Sequence, residues 1–247
     1  MMRFVPISLA AALVAPVLAV STPVLAAPAP VLFKAADGVT VHGAYYKAPT
    51  PKALILLFHQ AGSSKDEYAG IAPRLVDAGY SAMAIDQRSG GTMFGLNQTA
   101  AALGHKADYL EARPDLEAAV RWGEAQKLPV ILWGSSYSAA LVFLVAADHP
   151  ELKAMLAFSP GEYLDHKDMV KQAAAKVRVP VYVTSASDPE EIAVAQSILA
   201  ASPATVKVQF VPKAGVHASS TLLRARNPKG AAANWPPVLA FLRRVAG

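Results

Sequence analysis

The stretch VILWGSSYS at residues 130–138 decides the fold that the sequence predicts. Its first four residues are apolar, as in a strand buried on both faces, and the apolar run at 139–147 predicts a helix that begins directly after the serines. Such a strand-to-helix turn needs small residues where the two elements approach, and Gly134 and Ser138 lie two residues on either side of Ser136. The pattern is typical of a nucleophile elbow, which exposes a serine hydroxyl. A serine-rich helix cap is the alternative interpretation, and Ser135 is the lesser candidate.

Strands and helices alternate on both sides of this turn. The segments 31–36 and 39–47 flank the turn signal Asp37-Gly38 and predict a hairpin. Mostly apolar runs predict strands at 53–59, 81–86, 130–133, 152–158, 181–185 and 206–211. Helical periodicity or apolar content predicts helices at 64–76, 114–123, 136–147, 190–200 and 235–245, with a short helix in the polar insert 161–177 and an irregular segment at 87–113. This order indicates an α/β protein with a mainly parallel sheet, whose functional residues gather at the carboxyl ends of the strands.

Composition excludes several classes of function. The 247 residues contain no cysteine, which rules out disulfides, thiolate metal sites and a cysteine nucleophile. The net charge of +5 is scattered along the chain rather than interleaved with aromatic residues, so we do not expect nucleic-acid binding. His105 and His166 stand in polar segments without a second ligand at metal spacing, and the sequence predicts neither a metal nor a cofactor.

The N-terminus predicts an export leader. Arg3 precedes an apolar run at 7–20, and Val24-Leu25-Ala26 ends the segment with small residues. Prolines interrupt the stretch, which makes it shorter than the ~20 residues that a spanning helix needs. We expect cleavage after Ala26, with Ala19 or Ala27 as lesser options. Residues 1–26 would then be a signal peptide and 27–247 a single secreted or periplasmic domain, without stable membrane insertion.

Three motifs occur in the order and spacing of a known superfamily: HQAGSS at 59–64, DQRSGG at 86–91 and GSSYS at 134–138. With them the chain resembles the α/β-hydrolases, in particular small bacterial serine esterases and dienelactone-hydrolase-like members. The resemblance implies an α/β-hydrolase fold, with a mainly parallel central sheet, helices on both faces and a small cap insert. Dienelactone hydrolases proper use a cysteine nucleophile, which is absent here.

The resemblance also implies a catalytic triad and an oxyanion hole. Ser136 would be the nucleophile and His217, in the loop after the last strand, its base. Asp188 would be the acid, although Asp-Pro-Glu-Glu at 188–191 is also a good helix start, and Glu162 is the alternative. The backbone amides of Gln60 and Tyr137 would form the oxyanion hole.

The remaining candidate residues have less specific assignments. Met93, Phe94 and Tyr109 are candidate walls of a substrate pocket. His59, Asp86 and Arg88 are interpreted as structural, because they precede the elbow and end strands or loops. The expected function is cleavage of small or short-acyl carboxylic esters, with a small-molecule ester as the partner. A small amidase or peptidase, and a non-catalytic binding protein with the same fold, remain alternatives.

Overall fold

The computed structural model describes residues 27–247 together with Met1 and Met2. The predicted leader therefore lies, apart from its first two residues, outside the described part of the chain. No helix among the described residues is both long and apolar enough to cross a membrane.

Among residues 27–247 the strands are β1 (Ala29–Lys34), β2 (Thr40–Tyr46), β3 (Leu54–Phe58), β4 (Ser81–Ile85), β5 (Val130–Ser135), β6 (Ala154–Phe158), β7 (Val181–Thr184) and β8 (Lys207–Phe210). They form one sheet in the order β1-β2-β4-β3-β5-β6-β7-β8. Strands β1 and β2 form a hairpin, β2 pairs antiparallel with β4, and β3 to β8 are mutually parallel. The carboxyl ends of these parallel strands therefore meet at one edge.

Helices cover both faces of the sheet, which explains why its central strands are apolar throughout. Along β3, Leu54, Leu56 and Phe58 face one core, while Ile55 and Leu57 face the other, as the two-residue period of a strand requires. The first core packs against α3 to α6, and the second against α1 and α7. The helices are α1 (Ala72–Asp77), α2 (Gln98–Leu103), α3 (Arg113–Ala125), α4 (Tyr137–Asp148), α5 (Met169–Ala174), α6 (Pro189–Ala201) and α7 (Ala231–Ala246).

The structure differs from the sequence prediction in two segments. The expected single helix at 64–76 is a 3₁₀ turn, Lys65–Tyr68, followed by α1. Ser64 caps the turn as predicted, but the Glu67 side chain does not reach back to it, because its carboxyl is buried under the sheet edge. The segment 87–113, expected to be irregular, contains α2, which Asn97 caps and whose only buried residue is Thr99. With so little apolar surface, α2 leaves no helical periodicity in the sequence.

An ion pair joins the loop after β4 to α3. Arg88 and Asp115 have 8% and 0% of their side chains exposed, and their closest nitrogen and oxygen atoms are 2.7 Å apart. Asp115 also accepts the backbone N–H of Arg88 at 2.8 Å, and the guanidinium extends to Asp37 in the hairpin turn. The predicted structural role of Arg88 agrees with these contacts.

We expect Asp115→Asn to lower the free energy of unfolding by about 3 kcal/mol, because it leaves a buried guanidinium without its main counter-charge. Denaturant unfolding measures this change. Asp148→Asn is the matched control, since Asp148 is 58% exposed beside Arg113 and its loss should cost at most about 0.5 kcal/mol. Equal effects of the two substitutions would contradict the assignment.

Candidate active site

The turn between β5 and α4 has the geometry of an elbow. Ser136 has φ 58° and ψ −121°, a conformation that few non-glycine residues adopt. A Cβ atom at Gly134 would lie 2.3 Å from the carbonyl oxygen of Ser138, so only glycine fits there. The strained backbone aims the Ser136 side chain away from the sheet, and the residue is 7% exposed.

Ser138, which stands where the resembled family has a second glycine, takes part in a buried network. Its hydroxyl donates to the carbonyl of His59 at 2.5 Å and accepts the side-chain amide of Gln87 at 2.6 Å. Gln87 also donates to the hydroxyl of Tyr137 at 2.9 Å. This serine therefore ties the elbow to the loops after β3 and β4.

The structure brings Ser136 and His217 together. The Oγ of Ser136 lies 2.8 Å from Nε2 of His217, which follows β8 in the chain as the sequence predicted. Ala218, with φ 65°, turns the chain just beyond the histidine, and its N–H donates to the hydroxyl of Ser159 at 2.9 Å. The loop that carries His217 is thus fixed to the end of β6.

The carboxylate that contacts His217 is Glu191, not Asp188. Its Oε1 lies 2.8 Å from Nδ1 of the imidazole. Asp188 instead caps α6, where its Oδ1 accepts the N–H groups of Glu190 and Glu191 at 3.0 and 3.1 Å. The structure brings Glu191 rather than Asp188 to His217, because the helix cap uses the Asp188 carboxylate, while Glu191 projects from the first turn of the same helix toward the imidazole.

Glu162, the alternative acid, is also a helix cap. Its two carboxylate oxygens accept the N–H groups of Val170 and Lys171, both at 2.9 Å, at the start of α5.

Glu191 is held in its ionised form. Burial alone would raise its pKa, but hydrogen bonds from His217, the N–H of Ala186 and the hydroxyl of Ser159 outweigh burial and lower the pKa to about 2. The carboxylate therefore stays charged across the pH range in which a histidine can act as a base. A charged acceptor at Nδ1 fixes the tautomer that leaves Nε2 free to accept the serine proton.

The loop after β3 does not offer the amide that the resemblance implied. The N–H of Gln60 donates to Glu67 at 2.8 Å, so it is already used. The next amide, that of Ala61, and the amide of Tyr137 at the start of α4 have no acceptor among residues 27–247. Tyr137 keeps its predicted place, and Ala61 replaces Gln60 as the second candidate donor.

Glu67 is a buried carboxyl that joins the loops around the elbow. It accepts the N–H of Gln60 and, at 2.6 Å, the hydroxyl of Ser135, which in turn accepts the N–H of Ser219 at 3.0 Å. Burial raises the pKa of Glu67. Ser135, the lesser nucleophile candidate, is fully buried, and the hydrogen-bond partners of its hydroxyl are Glu67 and Ser219 rather than His217.

The three predicted pocket residues do not line one common pocket. Tyr109 stacks on Tyr137 with ring centroids 4.4 Å apart. Phe94 instead lies under the guanidinium of Arg226 in a cavity of about 780 Å³, whose lining does not include Ser136 or His217. Met93 is exposed, and its N–H donates to the carbonyl of Gly62.

Among residues 27–247, one group of side chains has the spacing of metal ligands: Glu124, His149 and Glu151. The two ring nitrogens of His149 already contact Glu117 and Glu151, each at 2.6 Å. The histidine follows the far end of α4, whose 12 residues place it roughly 18 Å from Ser136. This group is therefore separate from the serine and its neighbours. His59 is buried, which lowers its pKa to about 4, and its ring accepts the N–H of Gln87 within the loops.

Solved structures with this architecture cover most of the chain. Dienelactone hydrolase from Anabaena variabilis aligns with a TM-score of 0.68 and 18% identity over 90% of this chain and 100% of its own. A carboxyl esterase from Bacillus coagulans aligns with a TM-score of 0.68 and 12% identity over 90% and 100%. A cold-adapted esterase from an Arctic intertidal metagenomic library gives 0.64 and 24% over 88% and 93%. These similarities show the α/β-hydrolase fold.

None of the curated proteins compared with this chain is significantly similar in sequence. The profile of the Hydrolase_4 family, described as serine aminopeptidase, S33, matches residues 49–203, which is more than half of the chain. This protein therefore belongs to the Hydrolase_4 family of α/β hydrolases.

Proposed function

We propose that this protein is a serine hydrolase that cleaves small or short-acyl carboxylic esters, with Ser136, His217 and Glu191 as its triad. The observation that carries the proposal is the continuous chain of 2.8 Å contacts from Ser136 Oγ through both ring nitrogens of His217 to Glu191. The three side chains come from the turn after β5, the loop after β8 and the first turn of α6, and their order of contact is that of a catalytic triad.

The proposed reaction is acyl transfer in two steps. His217 takes the proton of Ser136 as its Oγ attacks the ester carbonyl, and the amides of Ala61 and Tyr137 donate to the oxyanion. Collapse of the tetrahedral intermediate expels the alcohol, which receives the proton from His217. A water molecule, deprotonated by the same histidine, then releases the acid from Ser136. Glu191 stays ionised throughout and stabilises the imidazolium.

A peptidase or amidase is the second candidate, because the family profile carries an aminopeptidase description. Its triad chemistry would be the same, and only the leaving group would be an amine. Solved structures of similar shape include esterases, which favours the ester reaction for this protein. Paired ester and anilide substrates with the same acyl group separate the two candidates.

The first prediction concerns the nucleophile. A fluorophosphonate probe should label Ser136, and Ser136→Ala should lose the label and at least about three orders of magnitude of ester turnover while keeping its unfolding midpoint. Peptide mapping of the labelled protein identifies the residue. Labelling of Ser135, or full turnover in the Ser136→Ala protein, would contradict the assignment.

The second prediction separates the acid from the helix cap. Glu191→Gln should lower turnover at least about a hundredfold, because an amide at Nδ1 no longer fixes the productive tautomer of His217. Asp188→Asn should cost at most about 1 kcal/mol of stability and leave turnover within about threefold, since asparagine is also a good cap. Glu190→Gln, on the exposed side of the same turn, is the control. A larger loss of turnover in Asp188→Asn than in Glu191→Gln would return the role of acid to Asp188.

The third prediction concerns acyl length. The insert 161–177 forms only α5 and exposes charged side chains such as Asp165 and Lys167, so it offers little cover for an alkyl chain. Each methylene left in water forgoes about 0.8 kcal/mol. With nitrophenyl esters of increasing length, kcat/KM should reach its maximum at four carbons or fewer. A value that keeps rising to twelve carbons would mean that a deep apolar channel exists.

Export is part of the proposal. Strand β1 begins at Ala29, so removal of residues 1–26 would leave every described strand intact. N-terminal sequencing of the exported protein should find Ala27 first, whereas a protein that retains Arg3 in the membrane would contradict the leader.

A further inference from the structure

Two tyrosines stand beside the Ser136–His217 pair. The ring of Tyr109 stacks on Tyr137, the residue after Ser136, with centroids 4.4 Å apart and planes at 23°. The ring of Tyr163 meets the imidazole of His217 edge-on, with centroids 6.5 Å apart and planes at 81°. Tyr163 thus contacts the imidazole itself, whereas Tyr109 contacts the residue that follows Ser136, and the two tyrosines come from different loops.

Tyr163 is fixed in place. Its hydroxyl donates to the carbonyl of Ser159 at 3.1 Å, and its ring packs so closely on Gly161 that a Cβ there would lie 2.6 Å from Cζ. Burial, with Glu191 adding to it, raises the pKa of Tyr163 to about 12, so its hydroxyl stays protonated and its ring neutral. Tyr109 is 38% exposed, and Tyr137 is its only ring partner within residues 27–247.

A cleft of about 290 Å³ lies between these two tyrosines. That volume is at the lower end of the range of small-molecule sites, which is about 300–1,000 Å³. Leu110 and Leu164 add apolar surface, and the rim carries Lys106, Asp108 and Asp165. With one positive and two negative side chains, the rim does not favour an anionic group.

We propose that this cleft is a substrate subsite for a single, uncharged aromatic ring attached next to the scissile ester. The inference rests on the proposed function and specifies its substrate class. Tyrosine rings that flank a narrow cleft contact a planar ring through offset stacking or edge-to-face geometry, which a saturated ring of similar size does not match. The lining of the cleft does not include Ser136 or His217, but its two tyrosines contact Tyr137 and the imidazole. A ring held between them therefore lies one side chain away from the reacting pair.

The test compares ring pairs of matched size, and the two acyl-side esters share methanol as their leaving group. Methyl phenylacetate against methyl cyclohexylacetate examines the acyl side, and benzyl acetate against cyclohexylmethyl acetate examines the alcohol side. In at least one pair we expect the aromatic ester to have a threefold to tenfold higher kcat/KM, which is the range of measured aromatic pair effects. The saturated rings are at least as hydrophobic, so simple burial predicts the opposite order.

Variants then locate the ring. Tyr109→Leu and Tyr163→Leu keep apolar bulk but remove the ring, and each should reduce the aromatic-to-saturated ratio toward one. Tyr109→Phe and Tyr163→Phe keep the ring and should preserve the ratio. Because the ratio is measured within each variant, a general loss of activity or of folded protein does not change it.

Three results would overturn the proposal. Equal kcat/KM within both pairs in the unaltered protein refutes the subsite but leaves the serine hydrolase in place. A preference that survives in both leucine variants means that the ring binds elsewhere, with the same consequence. If no ester is hydrolysed and the fluorophosphonate probe does not label Ser136, the proposed function itself fails, and the subsite fails with it.

Discussion

The buried carboxyl of Glu67 is the contact on which the geometry of the site depends. It binds the N–H of Gln60 on one oxygen and the hydroxyl of Ser135 on the other, and Ser135 accepts the N–H of Ser219. Gln60 lies in the loop after β3, Ser135 ends β5, and Ser219 lies in the turn after His217. A carboxyl removed from water is costly unless hydrogen bonds satisfy it, so the three segments must keep these positions for Glu67 to stay buried. The loop after β3, Ser136 and His217 are thereby placed relative to one another.

Glu191, the proposed acid, lies where a helix stabilises negative charge. Glu191 lies in the first turn of α6, where unpaired N–H groups and the helix dipole favour negative charge. Asp188 satisfies two of these N–H groups, so the Glu191 carboxylate is free to accept from His217 instead. The cap therefore supports the acid indirectly, because it holds the turn from which Glu191 projects.

The fold could be predicted from the sequence because its strongest signals are local. The apolar strands, the single-glycine elbow at Gly134 and the position of His217 after the last strand all follow from residue type and order. The 3₁₀ turn at Lys65–Tyr68 could not be predicted, because Ser64 and Glu67 have the spacing of a capping box. Glu67 instead accepts from Gln60 and from Ser135, which is 68 residues away in the chain. Helix α2 was missed because it buries almost nothing.

The site was only partly predictable, because some of its contacts join residues whose pairing no local pattern shows. The turns that carry Ser136 and His217 specify both residues, whereas the expected acid had to be chosen between Asp188 and Glu162. Good helix caps compete for the same residue type, and both named candidates turned out to be caps. Once Asp188 is assigned to the cap, Glu190 and Glu191 both remain on the first turn, and only the structure shows that Glu191 contacts His217. The amide of Gln60 was expected to be a free donor, since no sequence pattern shows that it already donates to Glu67.

The two tyrosines near Ser136 and His217 differ in how firmly the structure holds them. Tyr163 is fixed by its hydroxyl bond and by Gly161, while Tyr109 has only the stack on Tyr137 and remains more than one-third exposed. One wall of the cleft is thus set by the fold, and the other is attached to a surface segment with α2 and few buried residues. Segments with little buried surface open at low free-energy cost, so entry and exit would occur on the side of Tyr109. Selectivity for ring shape would then arise at the fixed wall of Tyr163, which also adjoins the histidine.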